Sequence, residues 1–153
     1  MIRRFALSIL MLGIVAATAV AQPKAPPTAP GRYDPNAELT YGGIVASVIS
    51  VAGPDGTVGV HVDLKTATNT IVKVHLGPAL FIGMNDFFFI TDDQILVKGV
   101  YVVHDGDVAF WAREVSKKGK TLTLRGIDGK PRWPLATADD PDGCGISHAP
   151  VRY

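Results

Sequence analysis

The alternation of apolar and polar positions is strongest between Val58 and Leu76. Val58, Val60, Val62 and Leu64 alternate with Gly59, His61 and Asp63. Beyond the turn Lys65-Thr66-Ala67-Thr68-Asn69, Thr70, Val72, Val74 and Leu76 alternate with Ile71, Lys73 and His75. A period of two, rich in β-branched residues, predicts a hairpin with one face in a core. The other face carries two histidines, a carboxylate and a lysine.

The remaining elements follow from the same pattern and from turn chemistry. Leu39 to Val51 reads as a long first strand, and Gly42-Gly43 near its start allows a bulge or sharp bend. Gly53-Pro54-Asp55-Gly56 is a turn. Gly77-Pro78 closes the central hairpin and suits a helix start, with Gly77 as cap and Pro78 at the first helical position. Ala79 to Ile82 then predicts a short apolar helix that must plug into something, most simply the end of a barrel. Phe87 to Ile90 fits a buried segment and an aromatic loop equally well. Gln94 to Val103 is the next strand, and Asp105-Gly106 is a hairpin signal that pairs Val103 with Val108 and Tyr101 with Phe110. That register sets Ile95, Val97, Tyr101, Val103, Val108, Phe110 and Ala112 on one face. The opposite face carries Lys98, Val100, Val102, Ala109, Trp111 and Arg113. Lys118-Gly119 turns the chain back through Thr121 to Leu124, and Asp128-Gly129 turns it again before Pro131 to Pro134.

Three strands, a short helix, two strands and one further strand is the order of an OB-like fold. The predicted class is all-β: a five-stranded partly open barrel over about residues 38–126, with a helix near 78–84 and an added C-terminal strand. An immunoglobulin-type sandwich is the alternative, but it calls for about seven strands and no helix after Leu76.

Charge and composition narrow the setting. Met1 to Arg4 is a cationic head, Phe5 to Val15 is apolar, and Ala19-Val20-Ala21 is a small-x-small cleavage site, which together predict a signal peptide over residues 1–21 and an exported, periplasmic or secreted product. No stable membrane anchor is expected after cleavage. Residues 22–37 hold Pro23, Pro26, Pro27, Pro30 and Pro35 and read as a disordered linker. The folded domain is expected over 38–135, with 136–153 a flexible tail. Removing Arg3 and Arg4 with the leader turns the formal charge of +1 into −1. A near-neutral chain lacks the basic field that nucleic acid generally requires. The single cysteine, Cys144, excludes an internal disulfide.

Val74-His75-Leu76-Gly77-Pro78-Ala79, Asp93-Gln94-Ile95-Leu96-Val97-Lys98-Gly99, Ala112-Arg113-Glu114-Val115 and Gly119 to Arg125, followed by Asp128-Gly129 and Trp133, carry a family resemblance. Over Thr40 to Trp133 the chain resembles small exported bacterial OB-fold domains, including the periplasmic "bacterial OB-fold" group. That resemblance implies the fold and an exported location, and it brings no catalytic signature.

Three groups of residues carry candidate chemistry. The turn length implies His61 opposite Lys73 and diagonal to His75; with Asp63 near, the two imidazoles are candidate ligands for a transition metal. A plain solvated sheet face is the competing reading. Lys98, Val100, Trp111 and Arg113 form a candidate ligand-binding patch, an indole flanked by cations that can stack a sugar, a base or a peptide side chain. Coverage of Trp111 by the helix or the C-terminal segment is the alternative. Cys144 and His148 offer a thiolate and an imidazole to a soft metal, without a fixed scaffold. No Gly-x-Ser-x-Gly, His-Glu-x-x-His, phosphate loop or Cys-x-x-Cys-His is present, and nothing calls for a cofactor. The expected function is a non-enzymatic binding or adaptor module presenting a sheet face to a protein, peptide, glycan or small ligand. The alternatives are a transition-metal-binding protein and, disfavoured by charge and export, an oligonucleotide-binding domain.

Overall fold

The structure is a computed structural model that describes residues 33–52, 56–104 and 107–134. The predicted leader, the linker up to residue 32, Cys144, His148 and the tail lie outside the described residues. Six strands and one helix follow in order: β1 (Leu39–Ala52), β2 (Val58–Thr66), β3 (Ile71–Pro78), α1 (Ala79–Met84), β4 (Gln94–His104), β5 (Asp107–Lys117) and β6 (Lys120–Thr123).

The strands form one sheet in the order β3-β2-β1-β4-β5-β6, and a parallel pairing of β3 with β5, Val74 to Phe110 and His75 to Trp111, closes it into a barrel. Every other strand pairing is antiparallel. This is the OB-like barrel that the strand–helix order predicts, with β6 as the added strand. β1 is shared: Leu39 to Ile44 pairs with β4, and Gly43 to Ala52 pairs with β2. At the handover Gly43 packs so tightly that a Cβ would lie 2.4 Å from the Lys65 carbonyl oxygen. The register shift itself falls between Val45 and Ser47.

The alternating apolar residues point inward as the pattern requires. Val45, Val62, Leu64, Val74, Leu76, Val97, Phe110, Val115 and Leu124 are fully buried. Tyr41, Tyr101 and Phe110 pack edge-to-face at the side of this core. Ile82 of α1 is buried in the same cluster, so the helix does plug the barrel. Its start is one residue later than the sequence suggests: Pro78 is the N-cap, because Gly77 and Pro78 still pair with Val60 and Gly59. Gly77, at φ +148°, lies against Trp133, and a Cβ there would come within 2.8 Å of the indole. In the segment after α1, Phe87 and Phe89 are buried while Phe88 and Ile90 are exposed.

Candidate functional site

The outer surface of the barrel divides into three areas, each built from a short run of register. The first bears the two histidines. His61 faces His75 directly and Asp63 faces Lys73, in the register that runs unbroken from Lys65 and Ile71 at the turn; the register shift between Val60 and His61 lies beyond them. The turn-based pairing of His61 with Lys73 is corrected by a tighter turn: the Thr66 N–H donates to the Thr70 carbonyl, so only residues 67–69 form the loop and the strands pair two places further along. The two imidazoles stack with ring centroids 4.0 Å apart and planes 18° from parallel. Both are half-buried, and Asp63 accepts a hydrogen bond from Ser47 Oγ at 2.8 Å. Among the described residues no group of three or more His, Cys, Asp or Glu is arranged to hold a metal ion.

The second area is the upper half of the outer β4–β5 face, where the patch of Lys98, Val100, Trp111 and Arg113 is expected. Val100 has no exposure and Trp111 retains 5%. Together with Val102, Ala109 and Tyr33 they form a second apolar cluster, with Ala37 packed against it. One covering element was not anticipated: the segment before β1, where Asp34 caps a 3-10 turn at Pro35–Ala37. The other is the anticipated C-terminal segment, which contributes Arg125. The end of the predicted linker, from Tyr33 on, is thus part of the fold. Arg125, in the segment after β6 and itself buried, sets its guanidinium carbon 4.8 Å from the Trp111 ring and 5.0 Å from the Trp133 ring.

The charged pair of that predicted patch has a structural occupation. Glu38 accepts from Tyr33 Oη at 2.6 Å, from Arg113 Nη2 at 3.1 Å and Arg113 Nε, and pairs with Lys98 Nζ at 3.0 Å. Arg113 also holds Glu114. Arg113 is the extra residue of a β5 bulge opposite Lys98 and Gly99, which turns its side chain toward Glu38. Burial pushes the Glu38 carboxyl up, but the hydrogen bonds from Arg113, Tyr33 and Lys98 outweigh it and bring its pKa down to about 2. Burial first, then the bond to Glu38, raises the Tyr33 phenol above its usual range. These residues clamp the N-terminal segment to the sheet. The four residues are not an exposed patch.

The third area, missed from sequence, is the lower half of the same outer face. Two rows of paired residues cross it: Lys65, Ile44 and Gln94, then Gly42, Leu96, Ser116 and Thr121. Because Gly42 has no side chain, the surface sinks between Ile44 and Leu96, and the β2–β3 and β5–β6 turns rise on either side. The result is a trough of about 750 Å³. Ile44 and Leu96 are 49% and 48% exposed on its floor. Lys65, Lys117 and Lys118 line its sides, joined by Thr66 and Asn69. Lys117 is engaged by the buried Asp93 and also donates to the Phe88 carbonyl. Burial opposes ionisation of Asp93, yet the bonds from Lys117 and from the Ile90 N–H (2.8 Å) hold its pKa below the usual carboxylate range. Leucine at a position that alternates with Gln94 and Lys98 is the one signal that sequence offered for this area.

Comparisons with known proteins place the chain. The model of the MamS/MamX magnetosome protein family matches residues 37–122, more than half of the sequence. The chain belongs to the MamS/MamX magnetosome protein family. The match takes in Glu38, the whole of β1 to β5 and the trough, so the family region and the folded domain nearly coincide. No curated protein matches the chain. Among solved structures, the N-terminal domain of PriB from Thermoanaerobacter tencongensis, described as dimeric, is similar at 11% identity and a TM-score of 0.41. The likeness covers 56% of this chain and 99% of that one.

Proposed function

We propose that this MamS/MamX family member is an exported, non-enzymatic binding module that acts at the magnetosome and holds a partner on the lower outer face of its barrel. Family and fold fit a binding module. The trough over Gly42 carries the reading: it leaves two large aliphatic side chains half-exposed on a rigid sheet, flanked by two turns. Such a floor gains contact area when a ligand lies on it, and its strands need no reorganisation to do so. The export element rests on the leader sequence, and the absence of a catalytic constellation rests on the motifs. The metal-handling reading has the stacked pair of His61 and His75 behind it, without a third His, Cys, Asp or Glu grouped with them among the described residues.

Site-specific photo-crosslinking in the native organism tests this. A benzoylphenylalanine at Leu96 is expected to yield a discrete adduct that the same group at Val48, on the other arm of β1, does not. Equal adducts from both positions, or none from Leu96 in a folded protein, would contradict it.

A further inference from the structure

The lining of the trough narrows the kind of partner, granted the binding-module reading above. It contains Lys65, Lys117 and Lys118, no carboxylate and no aromatic ring. Each absence among these lining residues carries information. Without a carboxylate inside, the lysine charges are offset only from outside: Asp93 neutralises Lys117 from beneath, and Asp92 shares a neighbouring depression with Lys118. Lys65 and Lys118 are exposed on opposite walls, one at the end of β2 and the other in the β5–β6 turn. Without an aromatic ring, the floor has no platform on which bases or sugar rings stack, which is what single-stranded nucleic acid and glycans use. Instead it offers Ile44 and Leu96, neighbours on adjacent strands through Gly42, where Leu96 Cδ1 already lies 3.4 Å from a notional Cβ. Aliphatic contact along the middle with cations on both sides suits an extended chain that alternates aliphatic and acidic side chains.

We infer that the trough binds an extended acidic polypeptide segment of a partner protein, with aliphatic side chains on Ile44 and Leu96 and carboxylates toward Lys65 and Lys118. Exposed charges attract over about 10 Å at moderate ionic strength, so the affinity falls as salt rises. Of the neutral side chains lining the trough, Ser116 and Thr66 are bonded to Thr121 and to Thr68 and Thr70, and the exposed Gln94 and Asn69 face the peptide backbone.

Three short synthetic peptides in which leucine alternates with glutamate, glutamine or lysine test it by calorimetry on the full mature chain, with oligothymidine as a fourth probe. The glutamate peptide is expected to bind about tenfold more tightly than the glutamine one, with the lysine peptide weakest. Lys65→Glu combined with Lys118→Asn reverses that order; asparagine tolerates the left-handed φ of 51° at position 118, so the turn survives. Near-UV circular dichroism of the variant confirms the fold. Equal binding of the glutamate and glutamine peptides, both lost in Leu96→Asp, would overturn the acidic choice and leave the trough as a binding site. Indifference of every peptide to Leu96→Asp would remove the trough as well. Oligothymidine that competes with the glutamate peptide at equal strength would assign the charge to nucleic acid.

Discussion

Two halves of one sheet face behave oppositely in this protein. Above the Lys98–Gly99 bulge, the outer side of β4 and β5 bears Val100, Val102, Ala109 and Trp111, and the segment Tyr33–Ala37 covers it. Below the bulge, the same side bears Leu96 and Ser116, joined by Ile44 and Gly42 of β1, and no described element covers it. The Glu38 clamp with Lys98 and Arg113 marks the border. An apolar outward residue is therefore not by itself a binding residue: on this face the upper ones are a second core, whereas Ile44 and Leu96 below stay half-exposed.

Matched substitutions break the comparison hardest. Trp111→Ala removes a buried indole packed on Tyr33 and Arg125, and is expected to cost about 3–5 kcal/mol in urea unfolding. Leu96→Ala, on the half-exposed floor, is expected to stay within about 0.5 kcal/mol while weakening ligand binding. If the two cost the same stability, the distinction between the halves is lost.

The border comes next. Glu38→Gln leaves Arg113 and Lys98 facing a neutral amide, and a loss of about 1–3 kcal/mol is expected at neutral pH. The pH dependence has a definite sign. A carboxyl whose folded pKa is about 2 against an ordinary 4.5 stabilises the fold fully above pH 4.5, and that contribution disappears as pH falls toward about 2. Melting temperatures of the wild type should drop faster over that window than those of Glu38→Gln. Parallel curves would show that the clamp carries no stability. Tyr33→Phe keeps the ring in the second apolar cluster and deletes only the 2.6 Å bond to Glu38, so about 1 kcal/mol is expected. Lys65→Glu, a surface change, should alter stability by less than about 0.5 kcal/mol and act on binding alone.

The barrel was legible because period-two alternation and the turns at Asp105-Gly106 and Lys118-Gly119 are local signals, and the predicted partners Val103 with Val108 and Tyr101 with Phe110 pair as expected. The candidate sites were less legible because they depend on turn length and on chain outside the strands. A loop of three residues rather than five places His61 on His75, and Glu38, ahead of β1, takes up the predicted ligands Lys98 and Arg113. Tyr33 sits among prolines that read as linker, yet it joins the second apolar cluster, with Ala37 packed beside it. The trough depends on Gly42 meeting Leu96 across strands more than fifty residues apart, which no local window contains.

Hydroxyl-radical footprinting of the mature protein, with and without the leucine–glutamate peptide, reads both halves at once. The account predicts that Trp111 is unreactive in both states, while Leu96 and Ile44 react in the free protein and become protected in the complex. A reactive Trp111 in the free protein that the peptide protects, with Leu96 unchanged, would contradict it.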